Sequence, residues 1–125
     1  MKLPWAYIDT SSYLKLYLKE KGTEEVRNLV RKNRILSSAI LLIECFSALS
    51  RKKQSKEISD KDFFNLVSRI KEGADYIHIV RLTDEVLKKF EEVALQSAAR
   101  ALDAIHIASA IIFQEETKIN LTFVT

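Results

Sequence analysis

Short apolar runs alternate with longer amphipathic stretches along this chain. Trp5-Ala6-Tyr7-Ile8 is apolar and stops at Asp9-Thr10-Ser11-Ser12. That is the pattern of a buried strand entering a helix, since Asp, Thr and Ser side chains accept hydrogen bonds from free helix N–H groups. A helix is expected from about Tyr13 to Lys21, with Tyr13, Leu14, Leu16, Tyr17 and Leu18 on its apolar side. Gly22 should end it and Thr23 should cap the next, Glu24 to Arg31, whose Glu24 and Glu25 complement the helix dipole. Arg34-Ile35-Leu36-Ser37 reads as a second strand, and Ser38 as the cap of a long helix from Ala39 to about Gln54. Ser59-Asp60-Lys61-Asp62 opens a helix to about Glu72, closed by Gly73. Tyr76 to Val80 carries the strongest strand signal, aromatic and β-branched. Thr83-Asp84-Glu85 caps a helix to about Gln96, another spans roughly Ala101 to Gln114, and Asn120 to Val124 is a fourth strand.

Strands separated by helices, with no hairpin-length connection, imply parallel pairing through right-handed crossovers. The expected class is α/β, a three-layer α/β/α sandwich with a short, mostly parallel central sheet. In such sheets the ligand crevice lies beyond the carboxyl ends of the strands. Asp9 stands at that end of the first strand.

A chain of 125 residues, 47% hydrophobic and 30% charged, suits one folded domain and excludes disorder. The longest apolar runs, Ala39–Ile43 and Ala110–Phe113, fall far short of the roughly 20 residues of a membrane span, so no membrane partner is expected. Met1-Lys2-Leu3-Pro4-Trp5 runs straight into a strand with no signal-peptide pattern. The single Cys45, in an apolar stretch, suits a reducing compartment, and a cytoplasmic protein is expected. A net charge of +3 says little alone. Drawing several acids into one pocket, however, would leave a more basic remainder able to attract a polyanion. Arg51-Lys52-Lys53 with Lys56 reads either as phosphate contacts or as a solvated helix end complementing the dipole.

Three acids stand out. Glu44 is flanked by Leu41, Leu42, Ile43, Cys45 and Phe46, so it should be largely buried; an unpaired carboxylate there would cost several kcal/mol or take a proton. An ordinary salt bridge or an exposed helix edge is the alternative. Asp103 lies in the alanine-rich Ala101 to Ala110 and reads equally as a helix-start acid, as Asp9 reads equally as an N-cap. Together they suit phosphodiester hydrolysis, in which a hard cation polarises phosphate and lowers the pKa of water. Mg²⁺ and Mn²⁺ choose carboxylate oxygen and water. His106, one turn beyond Asp103, is read as a packing or hydrogen-bonding residue, and His78 as structural. Arg100 either steadies Asp103 or binds phosphate. Tyr13, Tyr17, Phe46, Phe63, Phe64 and Phe90 are assigned to core or dimer interface. No Gly-rich loop follows the first strand and no second Asp lies two residues beyond Asp9, which disfavours other α/β phosphate-handling enzymes.

Tyr7 to Tyr17 resembles the opening of PIN-domain toxins of the VapC family. Ser38 to Leu49 is similar to that family's second motif, Arg100 to Ala110 to its third, and Thr122-Phe123-Val124-Thr125 to the start of its fourth. The resemblance implies a PIN-like fold and an Mg²⁺- or Mn²⁺-dependent endoribonuclease acting on RNA. It further implies the toxin half of a toxin–antitoxin pair, with a cognate antitoxin partner, and a homodimer. Carried over by position, Asp9 and Asp103 would be the principal metal ligands. Glu44 would complete the site directly or through metal-bound water, with Thr10, Ser11 and Thr125 in support. The fourth motif in the family continues to another Asp, whereas this sequence ends at Thr125. The expectation is therefore one PIN-like domain over residues 1–125 lacking the C-terminal end of the family fold. The competing reading is a catalytically silent PIN-like module that binds protein or RNA.

Overall fold

The computed structural model describes residues 2–124. The element order is β1 (Trp5–Ile8), α1 (Thr10–Leu14), α2 (Thr23–Lys32), β2 (Arg34–Ser38), α3 (Leu41–Gln54), α4 (Asp60–Ala74), β3 (His78–Val80), α5 (Asp84–Gln96), α6 (Ala101–Thr117) and β4 (Thr122–Val124). The strands form one sheet in the order β3-β2-β1-β4, and every pairing is parallel rather than mostly so. Each strand returns through at least one helix, which forces that direction.

Side-chain alternation along β1 divides the core between the two faces of the sheet. Ala6 and Ile8 pack with Tyr13, Leu14, Leu41, Cys45, Leu49 and Ile70, from α1, α3 and α4. Tyr7 points the other way and packs with Leu36, Ala110 and Phe113, the last two on α6. Residues in register share a face: Tyr7 lies opposite Leu36 on one side and Phe123 on the other. The Tyr7 and Phe123 rings stack at 5.1 Å, 10° from parallel. Cys45 is fully buried and unpaired, its thiol pushed up to about 12 by burial first and the Glu44 charge second.

Several boundaries differ from the expected ones. The helix expected over Tyr13 to Lys21 is the five-residue α1, starting at Thr10 because Asp9 caps it directly onto Ser12 N–H. Beyond Leu14 the chain tightens into turns, with Leu16 N–H on Tyr13 O and Tyr17 N–H on Leu14 O. Gly22, not Thr23, occupies the N-cap of α2, at φ 93, a left-handed conformation that favours glycine. Thr23 instead folds back, its hydroxyl accepting from Glu20 N–H at 3.1 Å. Ala39 is excluded from α3 because its N–H is spent on Val80 O, extending the sheet pairing. The strand expected over Tyr76 to Val80 begins only at His78, since the Tyr76 and Ile77 N–H groups still bond the end of α4. Phe64 is not core: it is exposed. His78 is exposed too, but its ring packs edgewise on Trp5 and Phe113.

Gly73 lies inside α4 rather than ending it. A Cβ there would run into the Tyr17 hydroxyl and come within 2.9 Å of the Tyr13 hydroxyl, which itself donates to Ile70 O. Helix propensity alone would make Gly73→Ala stabilising by about 1 kcal/mol. Overpacking against Tyr13 and Tyr17 reverses that sign, and urea denaturation should show a net loss of about 1–2 kcal/mol.

Candidate active site

Beyond the carboxyl end of β1 lies an open cleft of about 400 Å³. Asp9, Thr10 and Ser11 line it from the start of α1, Ile43, Glu44, Ser47 and Arg51 from α3, and Leu102, Asp103 and His106 from α6. Asp9 is the N-cap of α1, Glu44 is in the first turn of α3 and Asp103 in the first turn of α6. Each acid therefore stands at the electropositive end of a helix, which offsets part of the repulsion of gathering three negative charges. All three acids are helix-start residues, and all three line the same cleft.

Asp9 is oriented by its own cap. Its Oδ1 accepts from Ser12 N–H at 3.0 Å and from Ser11 Oγ at 3.1 Å. Its backbone N–H donates to Val124 O at 3.2 Å, tying the loop to the end of β4. Asp103 is exposed, and among the described residues neither of its carboxylate oxygens is engaged by a hydrogen bond or ion pair. Thr125 lies outside the described residues.

Glu44 is held quite differently. Its Oε1 accepts from Thr10 Oγ1 at 2.6 Å and lies 2.7 Å from His106 Nε2. Behind it, His106 Nδ1 lies 2.7 Å from the Tyr7 hydroxyl. A carboxylate oxygen only accepts, so Nε2 carries a proton. The Tyr7 phenol, its pKa raised chiefly by burial, stays protonated and donates to Nδ1 when the imidazole is in its neutral Nε2–H form. The result is a directed chain, Tyr7 to His106 to Glu44, with Thr10 as second donor. The Glu44 side chain is 17% exposed and that of His106 3%. His106 is thus a hydrogen-bonding residue as expected, but its partner is an acid 62 positions earlier. Tyr7 went unmarked in the sequence; the available signal was a phenol in mid-strand facing a helix that carries one polar ring.

Among the described residues no three His, Cys, Asp or Glu side chains stand close enough to hold a metal ion as a set. Glu44 Oε1 is already committed. Among the described residues, Asp9 Oδ2, Glu44 Oε2 and the Asp103 carboxylate are the oxygens left open. Two carboxylates with water in the remaining positions is the way Mg²⁺ is commonly bound, so the donor chemistry fits a hard divalent ion. Arg100 forms no hydrogen bond or ion pair with Asp103 and does not line the cleft; its carbonyl accepts from Ala104 N–H at the start of α6.

No curated protein sequence matches the chain. Among solved structures, Mycobacterium tuberculosis VapC20, described as a sarcin–ricin loop cleaving toxin, superposes with a TM-score of 0.67 at 13% identity, covering 96% of this chain and 89% of that one. A toxin–antitoxin complex from Klebsiella pneumoniae gives 0.66 at 14% identity, covering 93% and 82%. VapBC2 from Rickettsia felis, bound to a DNA fragment from its promoter, gives 0.63 at 14%, covering 95% and 98%. These likenesses establish the fold. The sequence profile of the PIN domain matches residues 6–122, and the chain belongs to the PIN domain family.

Proposed function

We propose that this chain is an endoribonuclease dependent on Mg²⁺ or Mn²⁺ and the toxin component of a toxin–antitoxin pair, acting in the cytoplasm as a homodimer and neutralised by a cognate antitoxin. The observation that carries the catalytic part is the meeting of Asp9, Glu44 and Asp103 around one cleft at the carboxyl end of β1. The likeness to VapC20, to VapBC2 and to a further toxin–antitoxin complex supports the toxin part.

Asp9 and Asp103 are the residues that would hold the ion. A bound divalent ion supplies charge to polarise the scissile phosphate and acidify water. Asp9 is fixed for this by Ser11 and Ser12, which occupy Oδ1 and leave Oδ2 without a protein partner among the described residues. Glu44 keeps Oε2 free of protein partners among the described residues, while Oε1 is clamped by Thr10 and His106. That clamp orients Oε2 to accept the proton of an attacking water. Ile43 and Leu102, both exposed, flank the acids and offer apolar surface to a sugar or base. Single-stranded RNA, with its bases unstacked and accessible, suits so open a cleft.

Cleavage of single-stranded RNA should require Mg²⁺ or Mn²⁺ and disappear with EDTA. Asp9→Asn and Asp103→Asn should each cost at least ~100-fold in rate while the far-ultraviolet circular dichroism is kept. Absence of cleavage by the wild-type chain under any divalent metal would instead favour a silent binding module. The clamp predicts a second outcome. Removing the imidazole in His106→Ala leaves Glu44 and Tyr7 short of a partner, and should cost about 2–4 kcal/mol of stability in urea denaturation. Tyr7→Phe, which loses only the outer donor, should cost about 1 kcal/mol.

A further inference from the structure

We infer that Arg51, with Ser47, is a second phosphate-binding site that takes the phosphodiester next to the one at the acidic centre, an inference that rests on the nuclease reading. The basic run of α3 is divided by the structure into residues with different fates. Lys52 lies 3.9 Å from Glu57. Lys53 sits over the Phe63 ring at 4.8 Å. Lys56 is in the following loop, outside the cleft. Arg51 alone among the described Lys and Arg residues lines the cleft that holds the three acids.

It is exposed there and stands outside ion-pair distance of the three acids. Among the described residues Arg51 forms no ion pair. One guanidinium nitrogen, Nη1, donates to Ser47 Oγ at 2.9 Å. Arginine carries five N–H donors, so most of the fork is still available. That bond uses Ser47 as acceptor, which leaves the Ser47 hydroxyl proton free to donate in turn. A preset arginine and an adjacent hydroxyl make a donor pair matched to phosphate oxygens, which arginine engages bidentately.

The spacing suits a strand. Glu44, Ser47 and Arg51 lie at i, i+3 and i+7, one face of α3. Glu44 to Arg51 spans two turns, roughly 10 Å along the axis, so the Arg51 side chain must reach back toward the acids to meet the neighbouring phosphate. A polyanion threading the cleft has one phosphate neutralised at the acidic end and the next at Arg51. The register of cleavage is then set by Arg51 rather than by base recognition.

The test uses the full chain carrying Asp103→Asn as an uncleaving parent, with binding to a short single-stranded RNA followed by fluorescence anisotropy across a salt series. Adding Arg51→Ala should weaken binding about tenfold. It should also lower the slope of log K against log salt by about 0.7, the loss of one phosphate contact on a single strand. Arg51→Lys should keep the slope and recover only part of the affinity, since a point charge replaces the fork. Ser47→Ala should weaken binding without changing the slope, and Lys56→Ala should change neither. In the active chain Arg51→Ala should raise KM with little change in kcat. An unchanged slope and affinity in Arg51→Ala, or an equal loss in Lys56→Ala, overturns the site and leaves the nuclease reading standing. A wild-type chain that neither binds nor cleaves single-stranded RNA with Mg²⁺ or Mn²⁺ present removes the nuclease reading and this inference together.

Discussion

Glu44 has to keep a carboxylate half out of water inside a helix whose neighbours are apolar, and everything around the cleft is arranged to make that tolerable. An ionised carboxylate taken from water costs several kcal/mol unless its lone pairs are used. Here the hydroxyl of Thr10 and the imidazole of His106 share one oxygen, and the Tyr7 phenol fixes the imidazole from behind. These residues belong to β1, α1, α3 and α6. The hydrogen-bond chain therefore locks the central strand to three helices, and the cleft's shape is set by the same bonds that satisfy one acid. The chain also has a direction, since each donor faces an acceptor from the sheet outward to Glu44.

Asp9 and Asp103 are managed by other means. Asp9 is half-buried with Oδ1 held by Ser11 and Ser12, Asp103 is exposed, and both stand at helix starts whose dipoles offset part of their charge. They line the same cleft as Arg51, which has no acidic partner among the described residues. The electrostatic pattern is that of a surface prepared for a cation and a polyanion arriving together. Fixed groups sit in the wall, and the mobile charges are left to the ligands.

Much of the fold was legible because its signals are local. The strand-to-helix break at Asp9-Thr10-Ser11-Ser12, the Ser59 and Thr83 caps and the apolar runs of β1 and β2 all depend on neighbours a few residues away, and all match the structure. The boundaries that moved were decided at long range. Ala39 is held out of α3 by Val80, and the end of β3 nearest Tyr76 is held by α4. Gly73 reads as a helix terminator by type, yet it is there because two tyrosines from the other side of the core press against it. The acids were legible as anomalies, each at a strand end, a helix start or in apolar surroundings. What joined them was not: no periodicity connects Tyr7 with His106, 99 positions apart, or singles out Arg51 from the lysines beside it.

The central claim is that carboxylates from separate elements share a divalent ion in this cleft. Titrating Mn²⁺ into isotope-labelled protein and following paramagnetic broadening of backbone amide signals tests it without reference to any reaction. Broadening should appear first, at substoichiometric metal, at the amides of Thr10 to Ser12 and Leu102 to Ala104, and should leave the amino ends of β1 and β2 sharp. Broadening centred anywhere else, or spread evenly over the surface acids, would contradict the account.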